Sequence, residues 1–310
     1  MNNYLDVETI SNKIDKAVVR NESINPTASI IIVTYNSNIS LFEQTIKSLT
    51  DNTTNSYEIL IIDNSEKSHL QDSFTDTKVN YIKLKRNYGL TIGRNIGISY
   101  SKGKILIFLD DDAIPGENFI DEHIKAHQVN NISALRGKCL PRTKSIFNHF
   151  ASHYDLGNDT IPYIVNLEGN SSFNKNILIE VGGFSTALEG AGGHEGLEIS
   201  KRIIAKTMNP NSIIYCPKAI IYHDYSKSLF HFLKKEIRHR NHWKYISKDH
   251  SDLIEFYQSY SHNIPRSYRD LDFLTKTKIV LIRALCRLVL RSHTHFQTFR
   301  GYNKRLKSNN

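Results

Sequence analysis

The stretch that most constrains this chain is Ile105-Leu106-Ile107-Phe108-Leu109, followed at once by Asp110-Asp111-Asp112. Five apolar residues without polar alternation describe a strand covered on both faces, as in the middle of a parallel sheet flanked by helices. Three carboxylates then leave that strand at its C-terminal end, the edge where ligands gather in open α/β sheets. Three adjacent negative charges repel one another and call for a neutralising cation. Hard oxygen donors suit Mg²⁺ or Mn²⁺, which bridge carboxylates to phosphate oxygens. The alternative is a solvated acidic turn that merely ends the strand.

The preceding residues repeat this arrangement. Residues 1–27 read as a polar, partly helical lead-in ending near Pro26. Ala28 to Thr34 is a β-branched run, hence a buried strand, and it ends in the polar loop Tyr35-Asn36-Ser37-Asn38. Apolar residues at 41, 42, 46 and 49 follow a helical period. Glu58 to Ile62 is a second strand, closed by Asp63-Asn64-Ser65, and Val79 to Leu84 a third. The loop Arg86-Asn87-Tyr88-Gly89 leads into a helix over Ile92–Ser101 that carries Arg94 and Asn95. Such alternation implies a parallel sheet with right-handed crossovers, and it puts every polar cluster on one sheet edge.

The five segments Ile32-Val33-Thr34-Tyr35-Asn36, Ile61-Ile62-Asp63-Asn64-Ser65, Asn87-Tyr88-Gly89, Gly93-Arg94-Asn95-Ile96-Gly97 and Phe108-Leu109-Asp110-Asp111-Asp112 together resemble a GT-A-fold, family-2 glycosyltransferase, in order and in spacing. The likeness extends over roughly residues 28–225. It implies an α/β GT-A fold with a mostly parallel central sheet and a helical C-terminal extension. It also implies a nucleotide-sugar donor, with Thr34, Tyr35, Asn36 and Asn87 lining the nucleotide pocket and Asp63 accepting a hydrogen bond from a uracil or thymine N3–H. Arg94 would lie near the base or diphosphate, Asp110 and Asp111 beside the nucleotide, and Asp110 and Asp112 on the metal, Mn²⁺ or Mg²⁺. Chemistry independently agrees, because a departing diphosphate needs a divalent cation or arginines beside it. Taken singly, Asp63 and Asn64 could cap a helix and Arg94 could be a solvated helix position.

The second half is expected to hold the acceptor site and the base. Gly169-Asn170-Ser171-Ser172-Phe173 and Val181-Gly182-Gly183-Phe184-Ser185 resemble the family's pattern before its acidic catalytic segment, which puts Gly169 and Asn170 beside the acceptor or diphosphate. The segment Ala191-Gly192-Gly193-His194-Glu195-Gly196-Leu197-Glu198 then enters a helix from Leu197. Inverting members place Glu-Asp here, followed two residues later by another acid. In this chain Gly196 stands where the aspartate belongs. Glu195, with its longer reach, is the expected general base of a metal-dependent, inverting single displacement; the alternatives are that Glu198 serves or that the mechanism differs, since related retaining transferases also show an acid–x–x–acid pattern. The structural alternatives are that Glu195 caps the helix and Glu198 pairs with Arg202 at i, i+4. Two short strands, Ser212–Tyr215 and Ala219–Tyr222, lead to His223, which resembles the family's third metal ligand and is chemically suited to Mn²⁺.

The bulk numbers bound these readings. The chain has 310 residues, with 39% hydrophobic and 23% charged, the composition of a soluble globular protein. Cys139, Cys216 and Cys286 are far apart and lack metal-ligand spacing, as in a reducing compartment. The polar N-terminal stretch has no signal-like apolar core, and no run reaches the length of a bilayer span, so the cytoplasm is the expected location. From Ser226 onward 18 Lys and Arg face 6 Asp and Glu, a +12 excess, while the remainder sums to −3. Such a segregated basic tail points to a polyanionic partner.

Within that tail, Arg240-Asn241 resembles a recurrent family feature. It either forms a lid with Arg240 facing the diphosphate or packs as an ordinary amphipathic helix. Arg283, Arg287 and Arg291 make a stripe on a largely apolar helix over 278–291, too short to span a bilayer. It either lies on an anionic membrane surface, at the inner face of the plasma membrane, or docks on the core. Nucleic acid ranks last, since no recognised nucleic-acid module accompanies the charge, and no repeat or heptad seam specifies an oligomer. The expected organisation is therefore a lead-in (1–27), a transferase core (28–225, its nucleotide half 28–112 and its acceptor half 113–225) and a basic helical region (226–310). The expected activity is transfer of a hexosyl or N-acetylhexosaminyl group from a UDP- or dTDP-sugar to a hydroxyl of a surface-glycan or lipid-linked acceptor. A catalytically inactive nucleotide-sugar-binding protein is the reading from another class. A nucleotidylyltransferase is disfavoured because Thr34-Tyr35-Asn36-Ser37 replaces its Gly-rich basic loop.

Overall fold

The computed structural model describes residues 6–19, 25–50, 53, 55–67, 70, 79–188, 194–261 and 271–308. In chain order the elements are α1 (Val7–Ser11), β1 (Ile14–Val18), β2 (Ala28–Thr34), α2 (Ile39–Thr50), β3 (Tyr57–Asp63), β4 (Val79–Leu84), α3 (Leu90–Tyr100), β5 (Ile105–Leu109), β6 (Ile114–Pro115) and α4 (Phe119–Asn130). They continue with β7 (Ala134–Leu140), β8 (Ile161–Pro162), β9 (Asn170–Asn174), α5 (Lys175–Glu180), α6 (Glu195–Thr207), β10 (Ile213–Tyr222), α7 (Leu229–Asp249), α8 (Ser251–Ser261) and α9 (Phe273–Ser308). One sheet runs in the order β1-β4-β3-β2-β5-β9-β7-β10-β6, with β8 paired to β10.

The nucleotide half is parallel as expected: β4, β3, β2 and β5 are neighbours in register. Beyond β5 the sheet becomes mixed, because β9 runs antiparallel to both β5 and β7. Parallel pairing returns between β7 and β10, so the expected mostly parallel sheet is present with β9 as an antiparallel insert. All five residues of β5 are buried, and the strand sits at the junction between the halves. Two further differences concern strands. The lead-in supplies β1, which pairs antiparallel with β4 and covers an edge that would otherwise be open. The two short strands expected around Cys216-Pro217 are one strand, β10, whose register with β7 shifts between Cys216 and Ile220. A bulge there accommodates the proline, which cannot donate to a ladder.

Two glycines set the distance between α3 and the sheet. A Cβ on Gly93 would lie 2.6 Å from Val33 Cγ1, and one on Gly97 would lie 2.4 Å from Ile31 Cγ2. Close approach of helix to strand therefore requires both glycines, and it brings the next residue, Arg94, under the sheet edge. The Asn95 side chain locks this placement: its amide donates to Phe184 O at 2.8 Å and its oxygen accepts from Phe184 N at 2.8 Å. Phe108, Phe173 and Phe184 pack edge to face beneath, with centroids 5.2–5.8 Å apart.

The C-terminal region is helical and folds onto the core. Phe232 of α7 and Cys286 of α9 are buried with Ala151 and Tyr225, and Ile282 and Leu290 pack against them. Arg283 lies over the Phe150 ring at 5.8 Å. The docking alternative holds for one face, on which Ile279 and Cys286 are buried, while Val280, Leu281 and Leu288 on the other are each more than 60% exposed. Among the described residues, no helix is long and apolar enough to cross a membrane.

Candidate active site

The strand-end loops on the nucleotide side hold one another. Thr34 Oγ1 and Ser37 Oγ are 2.5 Å apart, and Ser37 donates to the Asp111 carboxylate. Asn36 takes a left-handed conformation, tolerated by asparagine, and its N–H donates to Ser65 Oγ at 2.8 Å. Asn64 ties the next loop down, donating to Gly89 O and accepting from Tyr88 N. Asn87 accepts from Gly89 N at 2.9 Å, and Tyr35 is exposed at the rim. Asp63 is a correction. It has no exposed surface, one oxygen accepts from Tyr81 Oη at 2.5 Å and the other from Ser65 N at 2.8 Å. Its carboxylate is therefore a buried turn anchor and does not stand open to a base.

The three aspartates after β5 point to three different neighbours. Asp111 faces the first loop, and burial pushes its carboxyl up to about 6 against the lowering effect of Ser37. Asp112 pairs with His223, Nε2 to Oδ1 at 3.1 Å, with Lys227 at 4.0 Å. Burial alone would raise Asp112, but the hydrogen bond and charge of His223 outweigh it and lower its pKa. Asp110 faces the cavity described below and is raised by burial, with His223 and Arg94 opposing. A Cβ on Gly169 would lie 2.0 Å from this carboxylate, so residue 169 must be glycine for Asp110 to sit there. Among the described residues no three acidic, His or Cys side chains converge as a closed metal cage. The oxygen and imidazole donors of Asp112 and His223, with Asp110 nearby, fit an Mg²⁺ or Mn²⁺ ion held by one or two carboxylates plus substrate phosphates.

Next to Asp110 opens a cavity of about 340 Å³ lined by residues of both halves and of α7. Its carboxylates are Asp110, Glu168 and Glu195, and its cations Arg94, Lys235 and Arg238. Glu195 begins α6, where the positive helix end favours a carboxylate. Its Oε1 accepts from Arg94 Nη1 at 2.8 Å and its Oε2 from His194 N at 2.9 Å. Glu168 comes from the loop before β9, which is latched to α6: Val165 N donates to Ser200 Oγ at 3.0 Å and Gly196 N to Glu168 Oε1 at 2.9 Å. The opposite wall is ordered by Arg136, wholly buried, whose guanidinium donates to His153 O, Tyr154 O and Asn166 Oδ1 at 2.5–2.9 Å.

Burial makes the histidines here neutral at pH 7: His153 and His194 are depressed to about 3 and His239 to about 4. Burial and then Arg238 lower Lys235 to about 8. Burial first, then the charge of Glu195, push Glu168 up to about 7. The cavity thus sets cations against carboxylates on partly buried walls, where such charges act more strongly than in bulk water.

Of the sequence candidates, Arg94, Asp110, Gly169 and Glu195 line this cavity. Thr34, Tyr35, Asn36, Asn87 and Asp111 belong to the adjoining loops, and Asp112 with His223 to the flank. Three candidates are displaced. Glu198 binds Arg202 through both oxygens at 2.6 Å, the i, i+4 ion pair, and Arg202 continues to Gly183 O. Asn170 is fully buried, donating to Lys138 O and Ala219 O and contacting His123 Nε2, so it braces the sheet. Arg240 is off the cavity, and Lys235 and Arg238 of the same helix take the expected place. Glu168, Lys235, Arg238 and Trp243 were not foreseen. The 3–4 spacing of 235, 238, 239, 242 and 243 on one helical face was the legible signal for α7; Glu168 had none. Gly192 and Gly193 lie outside the described residues.

Comparison with known proteins agrees with this architecture. The family model described as "Glycosyl transferase family 2" matches residues 29–189. The uncharacterized glycosyltransferase YfnE of Bacillus subtilis is 30% identical over 105 residues, 33% of this chain and 27% of that protein. The low-salt glycan biosynthesis hexosyltransferase Agl10 of Haloferax volcanii is 31% identical over 118 residues, 37% of each chain. Polypeptide N-acetylgalactosaminyltransferase 11 of Xenopus tropicalis is 35% identical over 95 residues, 27% of this chain and 16% of that protein. Each match thus spans well under two thirds of the relative's own length. The family model covers more than half of the chain, the GT-A-like sheet agrees with it, and the chain therefore belongs to glycosyl transferase family 2.

Proposed function

We propose that the protein moves a sugar from a UDP- or dTDP-sugar to a hydroxyl of a surface-glycan or lipid-linked acceptor, by single displacement with inversion. The observation that carries this reading is the cavity shared by Asp110, Glu168 and Glu195 with Arg94, Lys235 and Arg238. A departing diphosphate is offset by the cations, and an attacking hydroxyl needs a carboxylate to take its proton. The volume, about 340 Å³, suits part of a small polar ligand. Trp243 and Tyr257 supply an aromatic wall of the kind that packs against a sugar ring.

Asp112 and His223, with Asp110, would hold Mn²⁺ or Mg²⁺ once diphosphate oxygens complete the coordination. The ion would offset charge on the leaving diphosphate. Thr34, Tyr35, Asn36, Asn87 and Asp111 sit where the nucleoside would lie. A hexosyl or N-acetylhexosaminyl donor accords with the Haloferax relative being named a hexosyltransferase and the Xenopus one an N-acetylgalactosaminyltransferase. Calorimetry with UDP and a panel of UDP-sugars, with and without MnCl₂, tests the donor side, and NMR of the product's anomeric proton tests inversion. Metal-independent binding, or a retained anomer, removes the corresponding part of the proposal.

The acceptor side of the proposal rests on α9. Leu281 and Leu288 are 64% and 62% exposed beside exposed Arg287 and Arg291. From Phe273 to the C-terminus the sequence has nine Lys and Arg and no acidic residue. An apolar face rimmed by cations suits the interface of an anionic bilayer, so we place the protein peripherally on the cytoplasmic face of a membrane. Co-sedimentation with phosphatidylserine vesicles, lost in the Leu281→Asp/Leu288→Asp variant, is the expected result. Equal binding to pure phosphatidylcholine would remove the electrostatic part.

A further inference from the structure

Three carboxylates line the cavity, and their surroundings separate their roles. Asp110 stands at the edge assigned to metal and diphosphate. Glu195 is only 4% exposed, with Oε1 held by Arg94 and Oε2 by the His194 N–H. Glu168 is half-buried, opens onto the cavity, and is anchored through Oε1 by the Gly196 N–H. Its carboxylate also fills the space that a side chain at 196 would take. A Cβ there would lie 2.5 Å from Glu168 Oε1 and 2.4 Å from Val165 O. The acid that the sequence lacks after Glu195 is thus supplied in space from the loop before β9.

We propose that Glu168 takes the acceptor proton and that the Glu195–Arg94 pair positions it. This rests on the glycosyl-transfer reading above. In the step, the acceptor oxygen forms a bond to the anomeric carbon as the bond from that carbon to the diphosphate oxygen breaks. The bonding pair leaves with the nucleoside diphosphate, the hydroxyl proton passes to the Glu168 carboxylate, and the anomeric centre inverts. Glu195 from α6 and Arg94 from α3 act on Glu168 by charge, and Asp110 after β5, Lys235 and Arg238 from α7 and the neutral His153, His194 and His239 line the same cavity. Burial and the charge of Glu195 raise the affinity of Glu168 for a proton, which suits a base working near neutral pH.

The test uses the full chain with MnCl₂, following UDP release from UDP-glucose, UDP-galactose, UDP-N-acetylglucosamine and UDP-N-acetylgalactosamine with water as acceptor. Glu168→Gln is expected to lower kcat by about 10²–10⁴-fold while the Kd for UDP stays at the wild-type value, which also shows that the variant folds. Glu168→Asp should keep part of the rate. Glu195→Gln should lose less than Glu168→Gln and move the acidic limb of the pH–rate profile to lower pH, because it removes the charge that raises Glu168. A Glu168→Gln enzyme within threefold of wild type, or a larger loss in Glu195→Gln, overturns the assignment. A wild-type protein that neither binds UDP nor releases it from any of these sugars overturns the glycosyl-transfer reading instead.

Discussion

The strand-end loops of the nucleotide half and the wall formed by Glu168, α6 and α7 are built in opposite ways. On the nucleotide side each polar group follows directly from the strand that carries it: Thr34 from β2, the turn anchor Asp63 from β3, Asp110 from β5. Their hydrogen bonds run between consecutive loops, as in Asn36 to Ser65 and Ser37 to Asp111. On the other wall, Arg94, Glu168, Glu195 and Lys235 are brought together from four distant segments. The first region is specified by contiguous motifs and the second by packing, so substitutions in the two should fail differently.

After Glu168→Gln, the largest effect is expected on the nucleotide side. Asp112→Ala removes the partner of His223 and should cut transfer by about 10²–10³-fold while abolishing the metal dependence of UDP binding, measured by titration calorimetry. Equal metal dependence in the variant would place the ion elsewhere. Next comes the packing beneath that edge. Gly97→Leu forces a side chain against Ile31, with 2.4 Å available at Cβ, and should cost ~1–3 kcal/mol or more in urea unfolding.

On the assembled wall, Lys235→Ala should raise the KM for donor by about tenfold, as loss of one charged contact of roughly 1.5 kcal/mol would do. Arg240→Ala, on α7 but outside the cavity lining, should leave KM within twofold of wild type. Similar effects for both would erase the distinction between the sequence candidate and the residue the fold presents. The smallest effect is on thermal stability. Glu168 is held protonated up to about 7 in the folded state, whereas an unfolded glutamate ionises near ~4.3. Between those values the folded state binds more protons, so this residue makes stability fall as pH rises. Glu168→Gln, neutral throughout, should therefore melt a few degrees above wild type at about pH 8 and nearly with it at about pH 5. Parallel melting curves across that range would show that Glu168 is not raised.

Much of the transferase core was readable because strands β2, β3 and β5 are unbroken apolar runs whose ends carry the polar groups. The covering strand β1 was not, since its five residues are mixed and its fate depends on an edge being open beside it. Asp63 shows the limit of a motif. The residue ends β3 at the sheet edge, but Tyr81 from the neighbouring strand claims its carboxylate. Asn170 was likewise read as a ligand and is instead a brace between β7 and β10.

By itself the sequence determined the alternating architecture, the acidic edge after Ile105–Leu109 and the separate basic, apolar α9. These depend on local periodicity and on strand-end chemistry, which travel with the residues. Only the tertiary structure decided which carboxylate faces the cavity, that Glu195 is tied to Arg94, and that Lys235 and Arg238 supply the opposing charge. Those outcomes depend on how closely segments far apart in the chain approach: through the glycines that let α3 and Asp110 pack, and through the 2.9 Å bond that hangs Glu168 on Gly196.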